Sequence, residues 1–235
     1  MRRHLAGASY LFVADVAVRA LNFVAMAWIA RTLAPELYGM VIIGASILDY
    51  ALLLSDWGLK TLGTRETARG DERRFQPRQV IAARIVLGSA VFIIANVLIA
   101  LLPLSSLQAI FIHVYLIGLL PYILHVDWYH QGHGNFVVIT VARTLGSICL
   151  LVGAFALVHS PSDASVVPWL YVTSVTATTI AMLVAVRSRR ELMPTVGDFK
   201  TTKALFGVST ALGVAALCGQ TFMVLPPIVA GQSQG

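Results

Sequence analysis

Charged side chains are scarce in this sequence. Hydrophobic residues make up 57% of its 235 residues, whereas Asp, Glu, Lys and Arg together make up only 12%. Ordinary soluble domains carry about 25% charged residues, so 17 basic and 11 acidic side chains are too few to cover a soluble domain of this size. Disorder is excluded as well, because disordered chains are polar and rich in charge. The composition therefore predicts an integral membrane protein.

Cysteines and the common catalytic motifs are also scarce. Cys149 and Cys218 lie inside apolar runs and have the spacing of neither a disulfide framework nor a metal site. The glycines of segment 58–63 are not followed by the Lys and the Ser or Thr of a phosphate-binding loop, which argues against an ATPase. The histidines near Asp127 match no familiar pattern of metal ligands. We therefore expect no metal and no cofactor.

Seven apolar runs are long enough to cross a bilayer, which takes about 20 residues in a helix. A helix satisfies its own backbone hydrogen bonds in lipid, so the runs predict an all-α, polytopic bundle of about seven spans. Pro121 inside the fourth run predicts a kink there. The runs occupy about 8–30, 38–59, 79–102, 106–126, 136–158, 166–186 and 204–228.

Lys and Arg are distributed unevenly between the loops. The loops at 60–78 and 187–203 and the N-terminus carry most of them, whereas the alternate loops carry few or none. Basic loops stay on the cytoplasmic side, so these loops and the N-terminus are predicted to be cytoplasmic. The net charge of +6 thus reflects membrane topology, and no nucleic-acid partner is expected. Contact of loop 60–78 with anionic lipid headgroups is a second interpretation of its charge.

Several charged residues fall inside the predicted spans, where each costs about 2.5–3.5 kcal/mol at the bilayer centre. Counted from the predicted cytoplasmic ends, Asp15 and Arg143 lie about 10 Å deep, and Arg19 and Asp49 about 15 Å deep. Arg84 lies nearer the surface and can extend to it. Because the outer half of each span lacks charged residues, the simplest arrangement is a polar cavity open to the cytoplasm.

These charges also have structural interpretations. Asp15 and Arg19 are four residues apart, so they share a helix face and could form an internal ion pair. Arg84 could be a surface anchor only. Arg143 has no acidic partner on its own helix, which favours a position lining the cavity.

Four segments together resemble a known family. They are Ala-Arg-Thr-Leu-Ala-Pro-Glu-Leu-Tyr-Gly at 30–39, Asp-Trp-Gly-Leu at 56–59, Thr-Arg-Glu-Thr-Ala-Arg at 64–69, and the loop at 127–132 with Asp127, Trp128, Gln131 and Gly132. In order and spacing they resemble the N-terminal half of Wzx-type polysaccharide flippases, which belong to the multidrug/oligosaccharidyl-lipid/polysaccharide exporter superfamily. That family usually has an aromatic residue at the place of His130.

The resemblance implies an architecture and an activity. The family has 12 to 14 spans in two six-helix lobes, so residues 1–203 would form one lobe and residues 204–235 the seventh helix of a chain that is apparently truncated. The implied protein is a bacterial inner-membrane flippase that moves undecaprenyl-diphosphate-linked oligosaccharide to the periplasmic leaflet for O-antigen, lipopolysaccharide or another surface polysaccharide. Membrane lipids, a C-terminal lobe and other polysaccharide-assembly proteins are its expected partners.

The resemblance and the intramembrane charges together suggest roles for individual residues. Arg19, Arg143 and Arg84 would bind the diphosphate inside the cavity. Asp15 and Asp49 would pair with these arginines or carry a coupling proton or cation.

Three alternatives remain open. A multidrug exporter shares this fold, although its cavity should be dominated by acids. A membrane enzyme of glycan biosynthesis is disfavoured because the predicted outer loops are short and carry only Arg31, Glu36 and Asp163 as charges. The third alternative is an inactive, truncated fragment.

Overall fold

The protein is built from helices. The computed structural model describes the backbone of residues 2–70, 74–187 and 189–232 and the side chains of residues 15–70, 74–187 and 190–219. All regular secondary structure in these residues is helical, which confirms the predicted all-α polytopic bundle. The helices are α1 (Arg2–Thr32), α2 (Pro35–Asp56), α3 (Leu59–Ala68), α4 (Pro77–Leu101), α5 (Ser106–Ile117), α6 (Leu119–Ile123), α7 (Asp127–Gly132), α8 (Phe136–Leu157), α9 (Val166–Val184), α10 (Val196–Phe199) and α11 (Thr202–Gln232).

Six segments of the described residues are long and apolar enough to cross a membrane. They correspond to the second to seventh predicted runs, and they are Pro35–Asp56, Pro77–Leu101, Ser106–Gly132, Phe136–Leu157, Pro161–Val184 and Thr202–Gly219. The first predicted run lies inside α1, which has 31 residues and extends about 46 Å at 1.5 Å per residue. It is not among the six, and the part of α1 with described side chains carries Asp15, Arg19 and Arg31.

Local sequence determines where several helices begin. Pro35 and Pro77 occupy the first helical positions of α2 and α4, where proline loses no helical hydrogen bond. Before α5, the Ser105 hydroxyl accepts a hydrogen bond from the amide of Gln108, and the Gln108 side chain accepts one from the amide of Ser105. This reciprocal capping satisfies amides that the first helical turn leaves free.

The fourth predicted run is interrupted close to Pro121, where the sequence predicts a kink. Helix α5 ends at Ile117, and the short helix α6 follows it after Gly118. Pro121 lacks an amide hydrogen and cannot donate to the preceding turn. After α6 the chain turns once more and begins α7 at Asp127, so this span ends on a short helix that carries the motif 127–132.

The core has two apolar clusters, one towards each end of the bundle. The first joins Ile29, Leu48, Tyr115 and Leu150 and their neighbours, and the second surrounds Trp128. Helix α5 lies at the centre, against α2, α4 and α9, whereas α1 packs mainly on α8. Because α1 and α2 touch each other little, polar side chains of both helices remain exposed.

Candidate functional site

A buried carboxylate is the centre of a charged cluster near one end of the bundle. Asp127, the first residue of α7, accepts through Oδ2 from Lys60 Nζ at 2.6 Å and from Arg143 Nη2 at 3.3 Å. Its other oxygen accepts from the backbone amide of Trp128 at 2.9 Å. Asp127 therefore links Lys60, which follows the span Pro35–Asp56, to Arg143, which lies inside the span Phe136–Leu157.

Arg143 connects the cluster to α1. Its Nη1 atom lies 3.3 Å from Oδ1 of Asp15, so Asp15, Arg143, Asp127 and Lys60 form a continuous chain of charges across α1, α8, α7 and α3. Asp15 therefore pairs with Arg143, one of the three arginines expected as its partners, and not with Arg19 of its own helix, which was the alternative structural interpretation. The acid binds Arg143 instead because α1 packs against α8, and this packing brings together residues that are 128 positions apart.

The two cations are more accessible than the acid that holds them. The Asp127 side chain is 4% exposed, whereas the side chains of Lys60 and Arg143 are 35% and 34% exposed. Asp15, the outermost member, is 53% exposed. A ligand can therefore reach both cations while Asp127 remains buried beneath them.

Lys60 is positively charged at neutral pH. Burial alone would lower the pKa of its ammonium group, but the neighbouring Asp127 carboxylate outweighs burial and raises that pKa above its usual value. We call Asp15, Arg143, Asp127 and Lys60 the Asp127 cluster. Its two acids and two bases balance each other in charge.

Arg84 has a different role from the one that the sequence suggested. Its side chain is 2% exposed, and its Nη1 atom donates to Asp56 Oδ1 at 2.9 Å. Its Nη2 and Nε atoms donate to the backbone oxygens of Tyr122 and Ile123 at 2.9 and 3.2 Å. Arg84 therefore neither extends to the surface nor offers a free cation to a cavity. It supplies hydrogen bonds to two carbonyls at the point where α6 ends and the regular helical ladder is interrupted.

Two predicted site residues lie apart from the Asp127 cluster. Arg19 on α1 and Asp49 on α2 are both exposed. Within the described part of the chain, neither is found in a side-chain hydrogen bond or an ion pair. Their assignment to substrate binding and to ion coupling stays a prediction.

Helix α3 and the motif 127–132 contact each other. Lys60 binds Asp127, and a Cβ atom added to Gly63 would meet the ring of Trp128 at 2.6 Å. A Cβ atom on Gly132 would lie 2.5 Å from Cβ of Thr67. Positions 60, 63 and 67 of α3 are spaced along one helix face, and that face packs against α7. Of the motif 127–132, Gln131 is exposed.

Glu66 organises the basic loop that follows α3. This buried carboxylate accepts the amides of Arg74 and Phe75 at 2.6 and 3.1 Å and the guanidinium of Arg69 at 2.9 Å. Sequence reasoning gave Lys60, Asp56 and Glu66 no role in a site, although Asp56 and Glu66 lie in segments that carry the family resemblance. Lys60, Gly63 and Thr67 follow each other at intervals of three and four residues, which places them on one helix face. This spacing is the feature of the sequence that indicates a contact through that face of α3.

The histidines of this region serve packing. His125 Nδ1 contacts the Thr179 hydroxyl at 3.1 Å, and His130 Nε2 contacts the carbonyl of Met182 at 2.9 Å. Among the described residues, no group of three or more His, Cys, Asp or Glu side chains could hold a metal ion. The expectation that the protein needs no metal and no cofactor stays a prediction.

Comparison with known proteins assigns the chain to a family. A search of curated proteins gave no match, and a search of solved structures also gave none. The family model described as polysaccharide biosynthesis protein matches residues 4–235, which is nearly the whole sequence. The chain, whose described residues include six candidate membrane spans, belongs to the polysaccharide biosynthesis protein family.

Proposed function

We propose that this protein is a Wzx-type flippase of the bacterial inner membrane. In this proposal it moves undecaprenyl-diphosphate-linked oligosaccharide from the cytoplasmic to the periplasmic leaflet for O-antigen or another surface polysaccharide. The observation that carries the proposal is the pair of accessible cations, Lys60 and Arg143, held over one buried acid in a membrane protein of polysaccharide biosynthesis.

The chemistry of a diphosphate suits this pair. Phosphate oxygens make strong charge-assisted hydrogen bonds, and a guanidinium can contact two oxygens at once. Without substrate the Asp127 cluster is balanced, so its cations are not left uncompensated in a membrane. A diphosphate would displace Asp15, the most exposed partner, while Asp127 keeps Lys60 and Arg143 in place.

Arg19 would extend the site. It lies one helical turn beyond Asp15 on α1, and its exposed guanidinium would meet the substrate deeper in the membrane. Asp15, once displaced, or Asp49 would take up the coupling proton or cation. Transport would follow from rocking of this lobe against a C-terminal lobe, which exposes the site to each side in turn.

The test measures surface glycan in cells that depend on the complete open reading frame encoding this chain. Arg143→Ala, Arg19→Ala and Lys60→Ala should each abolish glycan export while the protein is still made and inserted. Arg65→Ala is the matched control, since Arg65 is also basic and exposed but lies outside the Asp127 cluster. Wild-type surface glycan in both arginine variants would overturn the assignment of the site.

Two further assays separate this proposal from the other classes. Efflux of cationic dyes that depends on Asp15 and Asp49 would indicate a multidrug exporter. Turnover of lipid-linked sugar by the purified protein would indicate a glycan-modifying enzyme. A flippase moves the lipid-linked sugar between leaflets and leaves it chemically unchanged.

A further inference from the structure

An apolar groove opens on the side of the bundle between α4 and α9. Its volume is about 390 Å³, and residues from α4, α9 and the segment after α9 form its walls. We call it the α4–α9 groove. Its lining residues are Ile81, Ile85, Leu124, Ile180, Leu183, Val184, Val186, Leu192, Met193 and Pro194.

The groove lies near the predicted cytoplasmic surface of the membrane. Ile81 and Ile85 are four and eight residues from Pro77, the start of α4, so they lie about 6 Å and about 12 Å along that helix. On the other wall, Val184 is the last residue of α9. This is the depth at which the upper part of a lipid acyl chain in the cytoplasmic leaflet would lie.

Two basic residues are close in sequence to lining residues of the groove. Arg187 follows the lining residue Val186, and Arg190 lies two residues before Leu192; both are exposed. Arg190 also lines a smaller hollow of about 170 Å³ together with Gln76, Pro77, Arg78 and Glu191. The apolar groove and the polar hollow are lined by neighbouring residues of the chain, the groove by Leu192 and the hollow by Arg190 and Glu191.

The acids of this segment are bound elsewhere. Glu191 Oε2 accepts the hydroxyl of Tyr129 at 3.0 Å. Asp198 is buried, accepts from the amide and hydroxyl of Thr195, both at 2.7 Å, and forms an ion pair with Arg78 at 3.2 Å. In the described part of this segment, neither acid makes an ion pair with Arg187 or Arg190, so both arginines can bind an anion.

We propose that the α4–α9 groove binds one anionic phospholipid of the cytoplasmic leaflet. An acyl chain would fill the apolar groove, and the phosphate would lie on Arg187 and Arg190. The combination of an apolar groove and a cationic rim at one level of the bilayer matches a phospholipid, which the surrounding membrane supplies. This proposal is independent of the flippase proposal, because none of the Asp127 cluster lines the groove.

The experiment titrates the detergent-solubilised full chain with phosphatidylglycerol or phosphatidylcholine of identical acyl chains and counts bound lipids by native mass spectrometry. The wild type should prefer phosphatidylglycerol. In the double variant Arg187→Gln/Arg190→Gln this preference should fall about 30-fold, since each arginine near a membrane surface contributes about 1 kcal/mol. In Leu183→Trp, which fills the groove, binding of both lipids should fall.

Two variants serve as matched controls. Arg65→Gln/Arg74→Gln removes the same charge from exposed positions in α3 and in the segment that follows it and should keep the lipid preference. Val141→Trp adds an indole on the exposed face of α8 and should bind lipid as the wild type does. Circular dichroism checks that each variant is folded.

Four results would overturn the proposal. An unchanged preference in Arg187→Gln/Arg190→Gln would show that the phosphate binds elsewhere. An equal loss in the control double variant would show diffuse attraction to the basic surface. Undiminished binding by Leu183→Trp would exclude the groove as the site of the acyl chain, and competition by glycerol phosphate alone would show a headgroup site that needs no lipid.

Discussion

Lys60 Nζ lies 2.6 Å from Asp127 Oδ2, and this ion pair joins the short helices α3 and α7. Each residue belongs to or adjoins a segment that carries the family resemblance, so two of these segments form one contact. The same acid holds Arg143. A change at Asp127 should therefore alter both the packing of these helices and the cations that we assign to substrate binding.

Asp127→Asn should lower the pKa of Lys60. The native carboxylate holds that pKa above its usual value, so the ion pair stabilises the fold below the unfolded pKa of about 10.4, and that stability is lost as pH rises through the folded value. Without the acid, burial lowers the pKa and the amine reacts faster at pH 9. Acylation rates at Lys60, read by mass spectrometry, test this, with exposed Lys200 as the internal control. Identical pH profiles in both proteins would contradict it.

Arg84→Leu should destabilise the protein by about 3–5 kcal/mol, because it leaves Asp56 without its buried partner. The double variant Arg84→Leu/Asp56→Leu should recover much of this loss, since no uncompensated acid remains. Chemical unfolding in detergent measures both. The exposed Arg65→Leu should change stability by less than about 0.5 kcal/mol. If the double variant were less stable than Arg84→Leu, the account of Arg84 as the partner of Asp56 would be wrong.

Gly63→Ala should cost about 1–3 kcal/mol, because the new methyl group would lie 2.6 Å from the ring of Trp128 and overpack the contact of α3 with α7. Gly132→Ala should have a similar cost through Thr67. Gly39→Ala is the control, because a Cβ atom there meets nothing within 4 Å. In a helix this control should stabilise by about 0.5–1 kcal/mol. Equal stability of Gly63→Ala and Gly39→Ala would show that the helices can separate freely.

Hydropathy predicts the spans well because length and apolar composition are local properties. Helices α4 and α8 and the break near Pro121 follow from residues close together in the sequence. The partner of Asp15 does not follow, because helix packing selects Arg143 over Arg19. Likewise, the position of Arg84 near a helix end suggested exposure. Its buried position comes with hydrogen bonds to two carbonyls at the end of α6, which a linear pattern does not show.

The ion pair of Asp198 with Arg78 links the segment after α9 to the start of α4. The charge of Asp198 should therefore determine the local stability of this segment. Burial alone would raise the pKa of this carboxyl, but hydrogen bonds from Thr195 and the Arg78 guanidinium outweigh burial and lower it. Its contribution to stability is therefore present above the unfolded pKa of about 3.9 and is lost as pH falls through the lower folded value.

Asp198→Asn should therefore have the effect of protonation at neutral pH. Amides 195–201 should exchange faster with deuterium in this variant at pH 7, because the neutral side chain no longer forms the ion pair with Arg78. Asp163→Asn is the matched control, since Asp163 caps a turn in the same way through Ser160 at the other end of the bundle. Equal exchange of amides 195–201 in Asp198→Asn and in the wild type would show that other contacts hold this segment.

Because the same segment carries Arg190 and Leu192, its local destabilisation in Asp198→Asn should also weaken phosphatidylglycerol binding. Asp163→Asn should leave this binding unchanged.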